Sequence, residues 1–149
     1  MIDILRFREM LIELKERVNS KKADAITGVL MAVREAHMVK KLKDKEGVWM
    51  CANYPDANMN GATDYHEDRN QMIIFLLEKV SAGQHDDEEE LVHYAKMQNV
   101  MLLLRDELLD MQDYCGDVVM EDGMSIEWEY DVFGGWNGMS IGVKLKDYD

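Results

Sequence analysis

The sequence predicts an α+β protein in which an N-terminal antiparallel bundle of about four helices precedes a small C-terminal antiparallel β-hairpin or three-stranded sheet. Apolar residues recur at spacings of three and four over most of residues 1–116, and from residue 117 onward they alternate with polar residues. A chain of 149 residues has the size of one domain. We therefore expect a single domain, 1–149, with a mainly helical part, 1–116, and a β-hairpin region, 117–149.

The first two predicted helices form an antiparallel pair. The first carries an apolar stripe at helical spacing, Ile4, Phe7, Leu11, Leu14 and Val18. Ser20 can cap a second helix that continues to Gly47. Its apolar positions are Ile26, Val29, Leu30, Val33 and Ala36. The short connection between them favours neighbouring helices of opposite direction.

Two further helices are predicted in the middle of the chain. Asp64 can cap a third helix, which continues through Met72, Ile73, Phe75, Leu76 and Val80 to a stop at residues 81–83. A fourth begins with the five acids at 86–90, which a helix N-terminus favours. It has the longest apolar stripe, Leu91, Tyr94, Met97, Met101, Leu104, Leu108, Met111 and Cys115, followed by Gly116 as a C-cap.

The C-terminal region has the period of two that is typical of strands. Ile126, Trp128, Tyr130 and Val132 alternate with polar residues, GGWNG turns the chain, and Ile141, Val143 and Leu145 alternate again. Val118–Met120 is a candidate third strand, joined through the Asp122-Gly123 turn signal. The last strand is expected to be an edge, where Lys144 and Lys146 discourage unspecific pairing.

Charge is distributed unevenly along the chain. Residues 1–45 hold 11 Lys and Arg against 7 Asp and Glu, whereas residues 46–149 hold 6 against 23. Such an acidic surface repels phosphate groups, so we expect no direct nucleic-acid binding. The acidic surface also suggests an alternative function, in which the protein mimics DNA and inhibits a DNA-binding protein.

The sequence indicates a cytoplasmic protein. No run of about 18 uncharged apolar residues could span a bilayer. The N-terminus lacks the apolar core of a signal peptide, because Asp3, Arg6 and Arg8 interrupt it. Cys51 and Cys115 lie far apart and outside any metal-ligand motif, so we expect both to be reduced and structural. No membrane association is expected.

Residues 56–67, DANMNGATDYHE, match every position of an EF-hand calcium loop. The predicted ligands are Asp56, Asn58, Asn60, the carbonyl of Ala62, Asp64 and Glu67, with Gly61 at the sharp turn. Pro55 disfavours the entering helix of an EF-hand, and the sequence has no second loop to pair with this one. The loop is therefore read first as a polar connection, with calcium as the candidate cofactor of an alternative function.

No catalytic motif is found, so we expect a protein that is not an enzyme. The sequence has no P-loop, no dinucleotide fingerprint and no G-x-S-x-G or H-E-x-x-H motif. Trp136, in the glycine-flanked turn, is either folded back over the sheet or presented to a partner. Together with Trp128 and Tyr130 it forms the predicted interaction site, for a protein partner or for self-association.

The segment IEWEYDVFGGWNGMSIGVKLKDYD resembles the terminal hairpin of small uncharacterised proteins encoded by prophages and integrative elements. The resemblance covers about a sixth of the chain. It implies an assembly or accessory role, in the cytoplasm of a bacterial host or within a phage particle. The sequence thus favours a non-enzymatic protein that acts through protein contacts of its hairpin and helical faces.

Overall fold

A computed structural model describes residues 2–62, 65–80, 86–111 and 118–147, with the backbone alone at 57–62, 65–71, 118–122 and 145–147. This part of the chain contains three helices and one six-stranded mixed sheet. The helices are α1 (Ile4–Lys21), α2 (Glu35–Leu42) and α3 (Asp87–Asp110). The strands are β1 (Gly28–Ala32), β2 (Val48–Asn53), β3 (Asp56–Ala62), β4 (Tyr65–Lys79), β5 (Val118–Val132) and β6 (Trp136–Asp147).

The strand order is β1-β2-β4-β6-β5. β1 and β2 are parallel and are connected by α2, whereas the other neighbours pair antiparallel. β2 and β3 pair with successive parts of β4, residues 74–78 and 65–71. Pro55 separates them because it has no N–H for the ladder. One sheet therefore joins residues 28–79 to the C-terminal hairpin.

The sheet carries helices on both faces. α1 and α3 cover one face, called here the helix-pair face, and α2 packs on the opposite, α2 face. The core of the helix-pair face includes Phe7, Leu11, Leu14, Met50, Ile74, Leu104 and Ile141. The core of the α2 face is formed by Ala32, Met38, Leu42, Cys51, Leu77, Phe133 and Trp136. None of the described helices is long and apolar enough to cross a membrane.

A buried carboxylate connects the two helices of the helix-pair face. Glu107 of α3 is 4% exposed, and it forms ion pairs with Lys21 and, at 3.7 Å, with Nη1 of Arg17. The hydrogen bond to Glu107 is the largest cause that raises the pKa of Lys21. Since a buried charge is tolerated when it is paired, these contacts offset the desolvation of Glu107.

The predicted four-helix bundle is wrong, and so is the division into a helical part, 1–116, and a β-hairpin region, 117–149. Residues 28–32 of the predicted second helix form β1, and residues 65–79 of the predicted third helix form β4. In β4, Met72, Ile74 and Leu76 face one core while Leu77 faces the other. A strand buried on both faces has a continuous apolar run, which periodicity alone does not distinguish from a helix.

The first and fourth predicted helices are confirmed as α1 and α3. Each begins after an aspartate N-cap: Oδ1 of Asp3 accepts from the Leu5 amide at 2.9 Å, and Oδ1 of Asp86 accepts from the Glu89 amide at 2.9 Å. Ser20, the predicted cap of the second helix, instead lies within α1 and donates to the Arg17 carbonyl. The predicted helix stops at 81–83 and at Cys115 and Gly116 lie outside the described residues.

The C-terminal hairpin is confirmed, but its edge is not the predicted one. β6 lies between β4 and β5, because its apolar side chains are buried beside those of β4. The expectation that the last strand is an edge is therefore wrong, and β5 is the edge. The predicted turn at Asp122-Gly123 is also wrong, because β5 continues through it with a shift in register between Met120 and Met124.

A glycine of β6 offers a test of this packing. A Cβ at Gly138 would collide with the backbone carbonyl of Leu76, whereas a Cβ at Gly142 would meet its nearest atom, Cβ of Ser125, at 3.8 Å. We expect Gly138→Ala to lower the free energy of unfolding by about 1–3 kcal/mol. Gly142→Ala is the matched control and should change it by less than about 0.5 kcal/mol. Urea unfolding of both variants checks this, and equal values would contradict the described β4–β6 pairing.

Candidate interaction surface

β5 is an open edge in the described part of the chain, where it pairs with β6 and no other strand. An antiparallel strand directs the N–H and C=O groups of alternate residues to one neighbour, so the other half of these groups on β5 face outward. The pairing with β6 is regular from Met124 to Glu129 and shifts in register on either side. The usable edge is therefore the stretch 124–129.

Three aromatic residues lie along this edge on the helix-pair face. Trp128 and Tyr130 of β5 are 57% and 75% exposed. The ring of Tyr94, from α3, contacts Trp128 edge to face, with centroids 5.7 Å apart and an interplanar angle of 81°. The Tyr94 hydroxyl donates to the carbonyl of Glu129 at 2.8 Å. We call Tyr94, Trp128 and Tyr130 the aromatic ridge.

Carboxylates surround the aromatic ridge. Glu127, Glu129 and Asp131 alternate with its residues along β5, and neither β5 nor residues 86–95 contain a Lys or an Arg. Oε1 of Glu129 accepts from the Ser140 hydroxyl at 2.8 Å. Beside Glu127, on the α2 face, a groove of ≈ 480 Å³ opens over Ser140 and Gly142. The edge therefore combines an aromatic side with an acidic side.

The electrostatics of Tyr94 reflect this composition. Burial is the largest cause that raises the pKa of its phenol, followed by the nearby Glu90, Tyr130 and Glu129. Each of these causes disfavours the phenolate. Tyr94 therefore keeps its proton and continues to donate to β5 at neutral pH.

A half-buried polar cluster holds the N-terminal half of α3 on the sheet. His93 places Nδ1 at 3.1 Å from Oε1 of Glu78 in β4 and Nε2 at 3.3 Å from the carbonyl of Asn137 in β6. Lys96 donates to the other oxygen of Glu78 at 2.8 Å. The hydrogen bond from His93, then that from Lys96, lowers the pKa of Glu78 to about 2 despite burial. Since His93 precedes Tyr94, this cluster also fixes the position of the aromatic ridge.

The predicted interaction residues divide into two groups. Trp128 and Tyr130 are exposed on the edge strand, as described above. Trp136 is 2% exposed and belongs to the core of the α2 face, because the turn at 133–135 directs it back over the sheet. The folded-back alternative is therefore the observed one, and placing Trp136 on an interaction surface is wrong. Tyr94 was missed because its spacing indicates a core position of α3.

The EF-hand-like segment forms part of a hairpin and not a connection between helices. Residues 56–62 are β3, and they pair with residues 65–71 of β4. The helix predicted to follow Asp64 is therefore wrong, although Asp64 itself lies outside the described residues. Among the described side chains, which exclude 57–71, no group of three or more His, Cys, Asp or Glu could hold a metal ion.

Calcium binding through residues 56–67 stays a prediction with a direct test. The hypothesis predicts heat on calorimetric titration with calcium, and it predicts that Glu67→Gln abolishes this heat because the bidentate ligand is lost. Glu46→Gln, in an exposed loop, is the control. Absence of heat at millimolar calcium would contradict it.

The DNA-mimic hypothesis likewise stays a prediction, which competition with DNA for a bound repressor or nuclease would test.

Cys51 lies in β2, where its side chain is buried in the core of the α2 face. Burial raises the pKa of its thiol to about 12. Because the thiolate is the reactive form, this residue packs as a small apolar side chain and is inert at neutral pH. Cys115 lies outside the described residues.

A scan against protein-family models and a search of curated proteins both find no match to this chain. The case for a function therefore depends on the site.

The polar cluster makes stability depend on pH in a defined window. The pKa of Glu78 is about 2 in the folded protein, against 4.5 ordinarily, so its contribution is present above pH 4.5 and is lost as the pH falls toward 2. We expect Glu78→Gln to lower the free energy of unfolding by about 1–2 kcal/mol at pH 7, a value reduced by solvent screening. The difference should vanish near pH 2.

Urea unfolding from pH 2 to 7 measures this difference. Glu88→Gln is the control, because Glu88 is exposed and lines, together with Glu78 and His93, a pocket beside this cluster. A difference between Glu78→Gln and the original protein that persists unchanged at pH 2 would contradict the described ion pair.

Proposed function

We propose that the protein is a non-enzymatic assembly or accessory protein that acts through protein–protein contacts at the β5 edge and its aromatic ridge. The observation that supports this is the exposure of Trp128 and Tyr130 on a strand with unpaired backbone groups. Trp and Tyr are the residues that most often dominate binding energy in interfaces. An open strand edge supplies the hydrogen bonds of strand addition.

The size of the exposed aromatic surface is consistent with such a role. Trp128 and Tyr130 leave on the order of 300 Å² of side chain in water, from the usual area of these residues. At about 25 cal/mol per Å², covering it would contribute up to roughly 7 kcal/mol. Backbone hydrogen bonds of an added strand would supplement this, against the entropy cost of association.

The opposite edge of the sheet is less suited to a partner. Lys41 of α2 donates to the carbonyl of Met31 in β1 at 2.6 Å. β1 is also short, with five residues, and α1 and α2 both pack against it. Short, covered edges are a common protection against unwanted pairing. The asymmetry favours β5 as the contact site.

The source and compartment belong to the same proposal. The resemblance of the C-terminal hairpin implies a phage or mobile-element protein that acts in the bacterial cytoplasm or within a phage particle. The acidic surface disfavours direct nucleic-acid contact, which points to a protein partner. The gene neighbourhood would test this origin, since adjacent capsid, tail or recombination genes would support it and a housekeeping operon would contradict it.

Site-specific photo-crosslinking in the cells that express the protein tests the contact site. A benzophenone amino acid at Tyr130 should form an adduct of discrete mass, and mass spectrometry should identify one protein in it. The matched control is the same amino acid at Tyr54, an aromatic residue that is 41% exposed after β2. We expect no such adduct there. Equal adducts at both positions, or none together with a monomer in light scattering, would overturn the proposed function.

A further inference from the structure

We propose that the partner contributes an extended basic segment, which adds to β5 as a further strand with Arg or Lys alternating with apolar residues. This inference rests on the proposed function, because it names the chemistry of the partner at the same surface. It follows from the geometry of the edge, the two different sides of β5, and the charge of the surrounding surface.

The backbone geometry of the edge favours an extended segment. The regular pairing of β5 with β6 covers residues 124–129, between two shifts in register. At about 3.3 Å per residue, this stretch offers roughly 20 Å of outward N–H and C=O groups. A helix laid on the edge would leave these groups without partners, whereas a strand satisfies them.

The two sides of β5 require different side chains from an added strand. On the helix-pair face the strand would meet Trp128 and Tyr130, which apolar residues can cover. On the α2 face it would meet Glu127, which is exposed, beside Glu129. Since side chains alternate between faces, the matching segment alternates apolar and basic residues.

The charge around the edge selects a basic partner. Glu127, Glu129 and Asp131 lie on β5 itself, which has no Lys or Arg, and five acids from Asp86 to Glu90 open α3. Arg pairs with carboxylates in a planar fork and stacks on aromatic rings, so it suits both parts of this surface. Rim charges of this kind chiefly increase the association rate and reject acidic partners.

The same charges disfavour a second copy of the chain in this position. Two β5 strands paired antiparallel about a two-fold axis along the stretch 124–129 would bring Glu127 and Glu129 of one copy close to those of the other. Like charges directly opposite each other destabilise a strand pair. A basic segment meets no such repulsion, and we therefore assign the edge to a different protein.

Labelled peptides test the inference with the full-length protein. The probe is an eight-residue peptide of alternating Arg and Val, and its fluorescence anisotropy reports binding. We expect saturable binding that weakens with salt, and no binding of the Glu–Val counterpart. The variant Glu127→Gln should bind about fivefold more weakly. Glu46→Gln, an exposed carboxylate next to β2, should bind like the original protein.

Two N-methylated forms of the probe distinguish strand addition from simple charge attraction. One carries methyl groups on the Arg amides and the other on the Val amides. Alternate amides of an added strand point toward β5, so one form should lose binding by at least about tenfold and the other should retain it. Equal binding of both forms, or equal loss, would overturn the inference.

The peptide experiment and the photo-crosslinking experiment can fail independently, so the basic strand and the proposed function are tested separately. If no basic peptide binds while Tyr130 still gives a specific photo-adduct, the basic strand is refuted and the protein contact stands. If the photo-adduct also fails and light scattering shows a monomer, both are refuted. The crosslinked segment of the partner can be made as a peptide, and circular dichroism can follow its conformation when it binds the protein. A helical signal on binding would refute the strand addition and leave the proposed function intact.

Discussion

The structure depends on the burial of β4 from both sides. This strand places Met72, Ile74 and Leu76 under α1 and α3, and Leu77 under α2 and the β5–β6 turn. It also pairs with other strands along both edges, with β2 and β3 on one and β6 on the other. Covering each face then requires helices, which α1 and α3 provide on one side and the βαβ crossover through α2 on the other.

The position of β5 follows from this arrangement. β6 has to be the neighbour of β4, because its alternate residues Met139, Ile141 and Val143 continue the same core. A tight hairpin joins β5 to β6, so β5 pairs on the free side of β6 and lies outermost. Tyr94 of α3 contacts β5 beside its exposed end, and His93 with its partners Glu78 and Asn137 holds Tyr94 in place. The exposure of the aromatic ridge is thus a consequence of the topology.

The sequence predicted the helices that have one face in water and the strands in which apolar and polar residues alternate. α1, α3 and the hairpin were identified because one side of each meets water, which leaves a readable period. β1 and β4 were missed because runs such as MIIFLL in β4 have no polar side, and β2 had no assignment. Trp128 and Tyr130 of the site were identified from the sequence. The burial of Trp136 was not, because it depends on the turn before it, where Phe133, Gly134 and Gly135 all have positive φ. The pairing of Tyr94 with Trp128 joins residues 34 positions apart and has no local signal.

The carboxylates of β5 disfavour pairing of this open edge with a second copy of the chain. An uncharged edge of this length with exposed aromatics would pair with any similar strand, including its own copy. Glu127, Glu129 and Asp131 make self-pairing repulsive, and they leave a segment of opposite charge as the favoured neighbour. Specificity is a difference between affinities, and repulsion of the wrong partner contributes to it as much as attraction of the right one. The residues that protect this edge are therefore also those that define what can bind there.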